Sequence, residues 1–214
     1  MNLEMLIPMD DVSRVLKSFG IRLQGVLHVG AHQCEELGDY HRQSLTDIIW
    51  VEANPHLVQN LKNRGIQGVI HAAVSDHEEI VTFNIANNGQ SSSILDMKTH
   101  QHQYPDIRYV DSLMIKTQTL KQVFVTQSLD PTKYNFWNLD IQGVELAAIK
   151  GGVDLLKYVD AIYTEVNVKE LYSGCSRLHE MDSFLAPYGF TRLNTTIVPE
   201  GWGDALYVRL PSYV

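Results

Sequence analysis

Gly30 stands at the end of an apolar run, GVLHV (residues 25–29), and Glu52 ends the next such run, IIWVE (48–52), 22 residues after Gly30. A glycine at a strand end lets backbone approach a ligand closely. An acid at about that distance is placed to accept hydrogen bonds from ribose hydroxyls. A dinucleotide site would need further glycines, to carry a pyrophosphate over a helix N-terminus. Here the segment reads Gly30-Ala31-His32-Gln33-Cys34-Glu35-Glu36, with one glycine and two acids where phosphate would lie. That pattern is hostile to NAD or FAD. It suits a phosphate-free, positively charged nucleoside, a description that S-adenosylmethionine meets. Taken singly, the glycine is a turn and the glutamate a solvated cap; their spacing within one strand–helix–strand unit is what joins them.

A second group of residues has the types needed for transfer to a hydroxyl, which requires alignment of donor and acceptor and a group to take the proton. Asp140, in LDIQG, is the first candidate for proton acceptor, with helix capping or contact to a ligand's amino group as the other roles open to it. Glu165 and Asn167 alternate along one strand and so point the same way. With Asp140 they could hold Mg²⁺ in an oxygen-rich site; the simpler expectation is that they bind acceptor hydroxyls and that no metal is held. Gln142 and Asp204 extend this polar set, and Trp202 offers an apolar face to a sugar ring, its alternative being edge packing. Glu145 reads as a capping or packing acid. The nine histidines do not make a metal site: His28 and His32 straddle a strand–loop junction, and His100 and His102 have no third ligand nearby. If the polar segment 94–112 is a substrate lid, His102, Tyr104 and Tyr109 become acceptor contacts.

These residues need elements to position them. Strands are expected at 25–29, 48–52, 68–74, 79–86, 113–118, 134–141, 161–167, 190–198 and 205–210. Helices are expected at 35–45, 56–63, 119–125, 144–152 and 177–187. Asn54-Pro55 is a helix start, with Asn54 as cap. The alternation predicts an α/β fold with a doubly wound, mostly parallel sheet covered on both faces, and an antiparallel C-terminal hairpin. Such a sheet binds its ligand outside the carboxyl ends of its strands, where strand order reverses. There lie Gly30-Ala31-His32, Glu52-Ala53-Asn54, Val74-Ser75-Asp76, Asp140 to Gly143, and Glu165 to Asn167.

The chain has 214 residues, 44% hydrophobic and 20% charged, with a net charge of −8. This composition excludes a disordered or fibrous chain and predicts one domain over 1–214, with 1–24 as a helical lead-in and 87–112 as a candidate substrate loop. The acidity argues against nucleic acid and anionic membranes as partners. Two cysteines without metal spacing, no signal-peptide pattern at the start and no apolar run near the roughly 20 residues of a membrane span predict a cytoplasmic protein.

The stretches VLHVGAHQCEE (26–36), VEANP (51–55), AAVSD (72–76), GQSSS (89–93), NLDIQGVELAAIKGG (138–152), YTEVN (163–167) and WGDALYV (202–208) resemble the FkbM-type S-adenosylmethionine-dependent methyltransferases, in that family's order. Cys34 departs from a common glycine and Gln142 from a common glutamate. The resemblance implies the class I, Rossmann-like methyltransferase fold and a cofactor site built from Gly30, Ala31, His32, Glu36, Glu52, Ala53, Asn54, Val74, Ser75, Ser92 and Asp140. It further implies transfer to a hydroxyl of a sugar or natural-product scaffold. The expected activity is O-methylation of a glycan or glycoconjugate sugar, such as the deoxyhexose rhamnose, with room for a place in a larger glycan-modifying chain or complex. The rivals are an Mg²⁺-dependent O-methyltransferase on a catechol-like or natural-product acceptor, and a nucleoside-binding module without catalysis.

Overall fold

A computed structural model describes residues 5–210. In chain order the strands are β1 (Val26–Val29), β2 (Ile48–Glu52), β3 (Val69–His71), β4 (Ala73–Val74), β5 (Ile80–Ala86), β6 (Tyr109–Gln118), β7 (Phe136–Leu139), β8 (Ala161–Asn167), β9 (Phe190–Ile197) and β10 (Trp202–Arg209). The helices are α1 (Met9–Ser18), α2 (Leu37–Arg42), α3 (Pro55–Asn63), α4 (Thr99–Gln103), α5 (Leu120–Thr126), α6 (Glu145–Gly151) and α7 (Leu178–Leu185). Local chemistry sets several boundaries. The Asn54 side chain accepts from the His56 amide at 2.9 Å and opens α3 at Pro55. Thr119 and Gln122 form a reciprocal capping box at the start of α5.

Seven strands form the main sheet in the order β3-β2-β1-β7-β8-β10-β9. β10 alone runs antiparallel to both its neighbours, which places the predicted hairpin at one edge with β9 outermost. Strand side chains alternate between two faces, and the burial follows that parity. Leu27, Val29, Ile49, Val51, Trp137 and Leu139 pack in one core with α5, α6 and α7. Val26, Ile48, Trp50, Phe136 and Tyr163 pack in the other with α1, α2 and α3. The chain steps outward from β1 to β2 and β3, then returns to place β7 on the other side of β1. The reversal opens a crevice at the carboxyl ends of β1 and β7.

Two departures from the sequence expectations matter for the site. The run at 68–74 is not one strand: β3 joins the main sheet, and after Ala72 the chain turns into β4, which pairs with β6 in a second, three-stranded sheet of order β4-β6-β5. The segment 94–112 is not wholly irregular either, since it holds α4 and the start of β6. Between β5 and β6 the chain leaves at Ala86 and returns at Tyr109, which pair with each other. The Tyr109 hydroxyl donates to the Leu95 carbonyl at 2.7 Å, and Met97 bridges to Tyr172. The helix expected at 35–45 is shortened to α2, with Glu36 at its cap position.

Candidate active site

The β1–β7 crevice requires Gly30. Its φ is +96°, and a Cβ there would lie 1.8 Å from the Asp140 carbonyl oxygen. Cys34, where a glycine is common, also holds a left-handed φ of 58°, so the backbone keeps the turn that glycine would make. Two cavities meet at this point. The smaller, about 60 Å³, is lined by Gly30, His32, Glu52, Ala53, Val74 and Ser92, with Phe83 on β5 adding an aromatic wall. The larger, about 240 Å³, is lined by Glu36, Tyr104, Gln142, Glu165, Trp202 and Asp204. Asp140 and Gln90 line both.

Glu52 is buried and fixed. One carboxylate oxygen accepts from the His32 amide at 2.9 Å, the other from the Asn54 amide at 2.7 Å. Burial raises its pKa, against those amide hydrogen bonds that favour the charged form. The smaller cavity thus has a carboxylate held by backbone, apolar walls and no lysine or arginine lining it. That donor and acceptor set fits a phosphate-free nucleoside.

In the larger cavity the Gln142 amide nitrogen donates to Asp140 at 2.6 Å and to Glu165 at 2.7 Å, while its oxygen accepts from the Tyr172 hydroxyl at 2.7 Å. One amide therefore holds two carboxyl groups together, where a glutamate would add a third negative charge. Burial raises the pKa of Asp140, and burial followed by the Asp140 charge raises that of Glu165 well above the carboxylate range. Both shifts run the same way, and the more deeply buried Glu165 is the one more strongly favoured in its protonated form. Glu145 is buried and accepts from the Ile141 and Gly143 amides, capping the turn that presents Gln142. Asp204 accepts from the Leu6 amide at 2.8 Å and from the Tyr163 hydroxyl. Trp202 donates from its indole to the Tyr104 hydroxyl at 2.9 Å.

Several expected contacts lie elsewhere. His102 is exposed and does not line the cavity; His100 does. Two residues apart on α4, the pair cannot face the same way. Ala31 packs into the core beneath the crevice. The Asn54 side chain is used in capping α3, and the Ser75 amide pairs with Gln118 at the end of β4. Asn167 sits behind Glu165, its amide nitrogen 3.4 Å from that carboxyl, outside the cavity lining. Glu36 lies on the larger cavity instead of beside the nucleoside pocket. His28 is a core histidine, 3.0 Å from the Tyr40 hydroxyl and stacked on Trp50, with burial lowering its pKa to about 4. Sequence reasoning missed Phe83 and His100. Inward alternation along β5 is the signal for Phe83; none marked His100 over His102. Among the described residues no group of three His, Cys, Asp or Glu is arranged to hold a metal ion.

The profile of the family described as Methyltransferase FkbM domain matches residues 28–192. The 2-O-methyltransferase NoeI of Sinorhizobium fredii (strain NBRC 101917 / NGR234) is 28% identical over 113 residues, covering 50% of this chain and 46% of that protein. The match therefore spans about half of that relative's length. Among solved structures, Streptococcus pneumoniae Sp1610, described as a candidate tRNA (m1A22) methyltransferase, superposes with a TM-score of 0.50 at 12% identity, over 94% of this chain and 71% of its own. The same protein in complex with S-adenosyl-L-methionine gives 0.49 at 13% identity, over 94% and 74%. At these identities the likeness is one of fold, the class I methyltransferase fold.

Proposed function

The chain belongs to the FkbM methyltransferase family, a family of S-adenosylmethionine-dependent methyltransferases, and from that premise we propose that it methylates a hydroxyl of a sugar in a glycan or glycoconjugate. The observation that carries this reading is the position of Asp140, a carboxylate on the boundary between a nucleoside-sized pocket and a larger polar chamber. When bound, S-adenosylmethionine supplies an electrophilic methyl carbon on a sulfonium. Glu52 would take the ribose hydroxyls, Phe83 and Val74 would flank the adenine, and Gly30 lets the β1 turn close on the tail. In the chamber, Asp140 would accept the proton of the acceptor hydroxyl as its oxygen takes the methyl carbon and the sulfonium–methyl bond breaks, leaving S-adenosylhomocysteine. Glu165, holding its own proton, and Gln142 keep that carboxylate in place. Trp202 and Tyr104 supply a wall for a ring, and Asp204 and Glu36 supply hydroxyl partners.

Transfer to oxygen is supported by the name of the Sinorhizobium relative and by a carboxylate base with no nucleophile beside it. A Mg²⁺-assisted reaction would need Asp140, Glu165 and Asn167 to turn oxygens onto one point; the Gln142 amide nitrogen already fills the space between the two carboxyls. A nucleic-acid acceptor is disfavoured by the net charge of −8 and by the lack of lysine or arginine on either cavity.

Calorimetry with S-adenosylhomocysteine and with NAD tests the nucleoside pocket: the first should bind and the second should not. Glu52→Ala should weaken the first by about 1.5–3 kcal/mol, the worth of hydrogen bonds to a charged group. An unchanged affinity would remove the ribose assignment. Mass spectrometry of glycosides incubated with S-adenosylmethionine in EDTA should show one added methyl on oxygen; restoration of activity only by Mg²⁺ would favour the metal-assisted reading.

A further inference from the structure

Among the described residues, four carboxyl groups line the larger cavity, from Glu36, Asp140, Glu165 and Asp204, and no lysine or arginine does. The smaller cavity beyond Asp140 has none either. On the larger cavity the remaining candidate for positive charge is His100, 5% exposed, its Nδ1 lacking any hydrogen-bond partner among the described residues, while on the smaller it is His32, whose ring nitrogen pairs with Glu35 at 2.6 Å. Burial lowers the pKa of His100, so that ring does not bring a compensating positive charge to the cavity.

We infer that this cavity selects its acceptor by charge: the sugar ring it admits is neutral or carries an ammonium group, and no carboxylate or phosphate enters with it. The inference rests on reading the cavity as the acceptor site. An anion brought inside would lose its hydration and meet carboxyl groups with no cation to compensate, which costs several kcal/mol even after relaxation. An ammonium group meets the reverse situation. Burial raises Glu36 to about 8 and Asp204 to about 6, so near neutrality Asp204 already carries charge while Glu36 can release its proton as a cation arrives, which makes both partners for it. A neutral hydroxyl needs no such compensation, and the Gln90 amide and Tyr104 hydroxyl on the cavity wall offer it partners. A cavity of about 240 Å³ encloses about one ring. A sugar still bearing a phosphate at its anomeric carbon is therefore excluded, and the class of reaction that supplies the acceptor is one that has already removed it, a glycosyl transfer.

The test uses the full chain saturated with S-adenosylhomocysteine and four probes: glucosamine, glucose, glucuronate and glucose 1-phosphate. Titration followed by calorimetry should rank glucosamine first, at least tenfold tighter than either anion, with glucose between them and proton release accompanying glucosamine. Glu36→Gln should shrink the glucosamine-to-glucuronate ratio several-fold. Anions that bind as well as glucosamine, or four indistinguishable probes, would overturn the charge filter while the cofactor reading stands. Failure of S-adenosylhomocysteine itself to bind would overturn that reading and this inference with it.

Discussion

At the residue scale the centre of the molecule is the arrangement of Asp140, Gln142 and Glu165. A single amide nitrogen between two carboxyls leaves one of them protonated, and the deeper, Glu165, is the one burial penalises more as an anion. Asp140 faces both cavities. A base matters in the transition state more than in the ground state. Asp140→Asn should therefore lower kcat by about 10²–10⁴ while leaving S-adenosylhomocysteine affinity nearly unchanged. Steady-state rates alongside calorimetry separate this from the alternative: a sharply raised cofactor Kd with kcat preserved would assign Asp140 to the cofactor's amino group. The sequence made Gly30, Glu52 and Asp140 legible because each closes a strand at the reversal point. It did not reveal the Gln142 bridge, because a left-handed φ of 56° sets that side chain's direction, and no pattern of residue types encodes the partner it will reach.

At the scale of elements, most strands and helices could be read from periodicity because the main sheet is buried on both faces. β8 runs over the seven residues expected, all of them buried. The failures have two causes. A stretch that serves two sheets, as 68–74 does, has a single apolar run and no marker at Ala72 for the change of partner. α4 is five residues held by tertiary contacts: the Lys98 and His100 amides bond to the Leu171 carbonyl at 2.7 and 3.2 Å. A helix so short has no propensity signal of its own. The β1–β7 junction gives a sharp test of close approach. Gly30→Ala combines a left-handed backbone with a Cβ 1.8 Å from a carbonyl oxygen, so urea unfolding should show a loss clearly above the ~1–2 kcal/mol of left-handed strain alone. Gly65→Ala is the control, since its φ is +78° and nothing lies within 4 Å of the added carbon. Equal losses at the two positions would show that the sheet yields to the extra atom.

For the whole molecule, the buried acids set how stability responds to pH. Burial raises Glu36 to about 8, Glu145 to about 7 and Asp204 to about 6. Their unfolded values lie near 4, so the folded state binds more protons between the two limits, and stability falls as pH rises through that window. His28 acts oppositely: lowered to about 4 from 6.5, it removes stability as pH falls through that interval. The Tm of the ligand-free protein should therefore peak in the mildly acidic range and decline toward pH 9, and Glu36→Gln should flatten the alkaline side. Scanning calorimetry across pH 4–9 measures both, and a Tm that rises to pH 9 would contradict the burial of these acids. Composition already disclosed the acidity, but not that so much of it is turned inward around one chamber. No helix among the described residues is long and apolar enough to cross a membrane.

The tie between the Tyr109 hydroxyl and the Leu95 carbonyl makes residues 96–108 a self-closed cassette. Its two ends already sit side by side, so the loop-closure cost of a change between them is small, provided the Lys98 and His100 amides keep their hold on the Leu171 carbonyl. The cassette contributes His100, Tyr104 and Ile107 to the acceptor chamber and nothing to the nucleoside pocket. Under the proposed reading of the larger cavity, acceptor choice would be physically modular. A chimera carrying another family member's segment between Leu95 and Tyr109 should keep wild-type affinity for S-adenosylhomocysteine while its acceptor profile follows the donor of the segment. A matched loss of both would mean that α4 supports the nucleoside pocket through Tyr172, which packs against His100 and donates to Gln142, and that recognition and donor binding change as one unit.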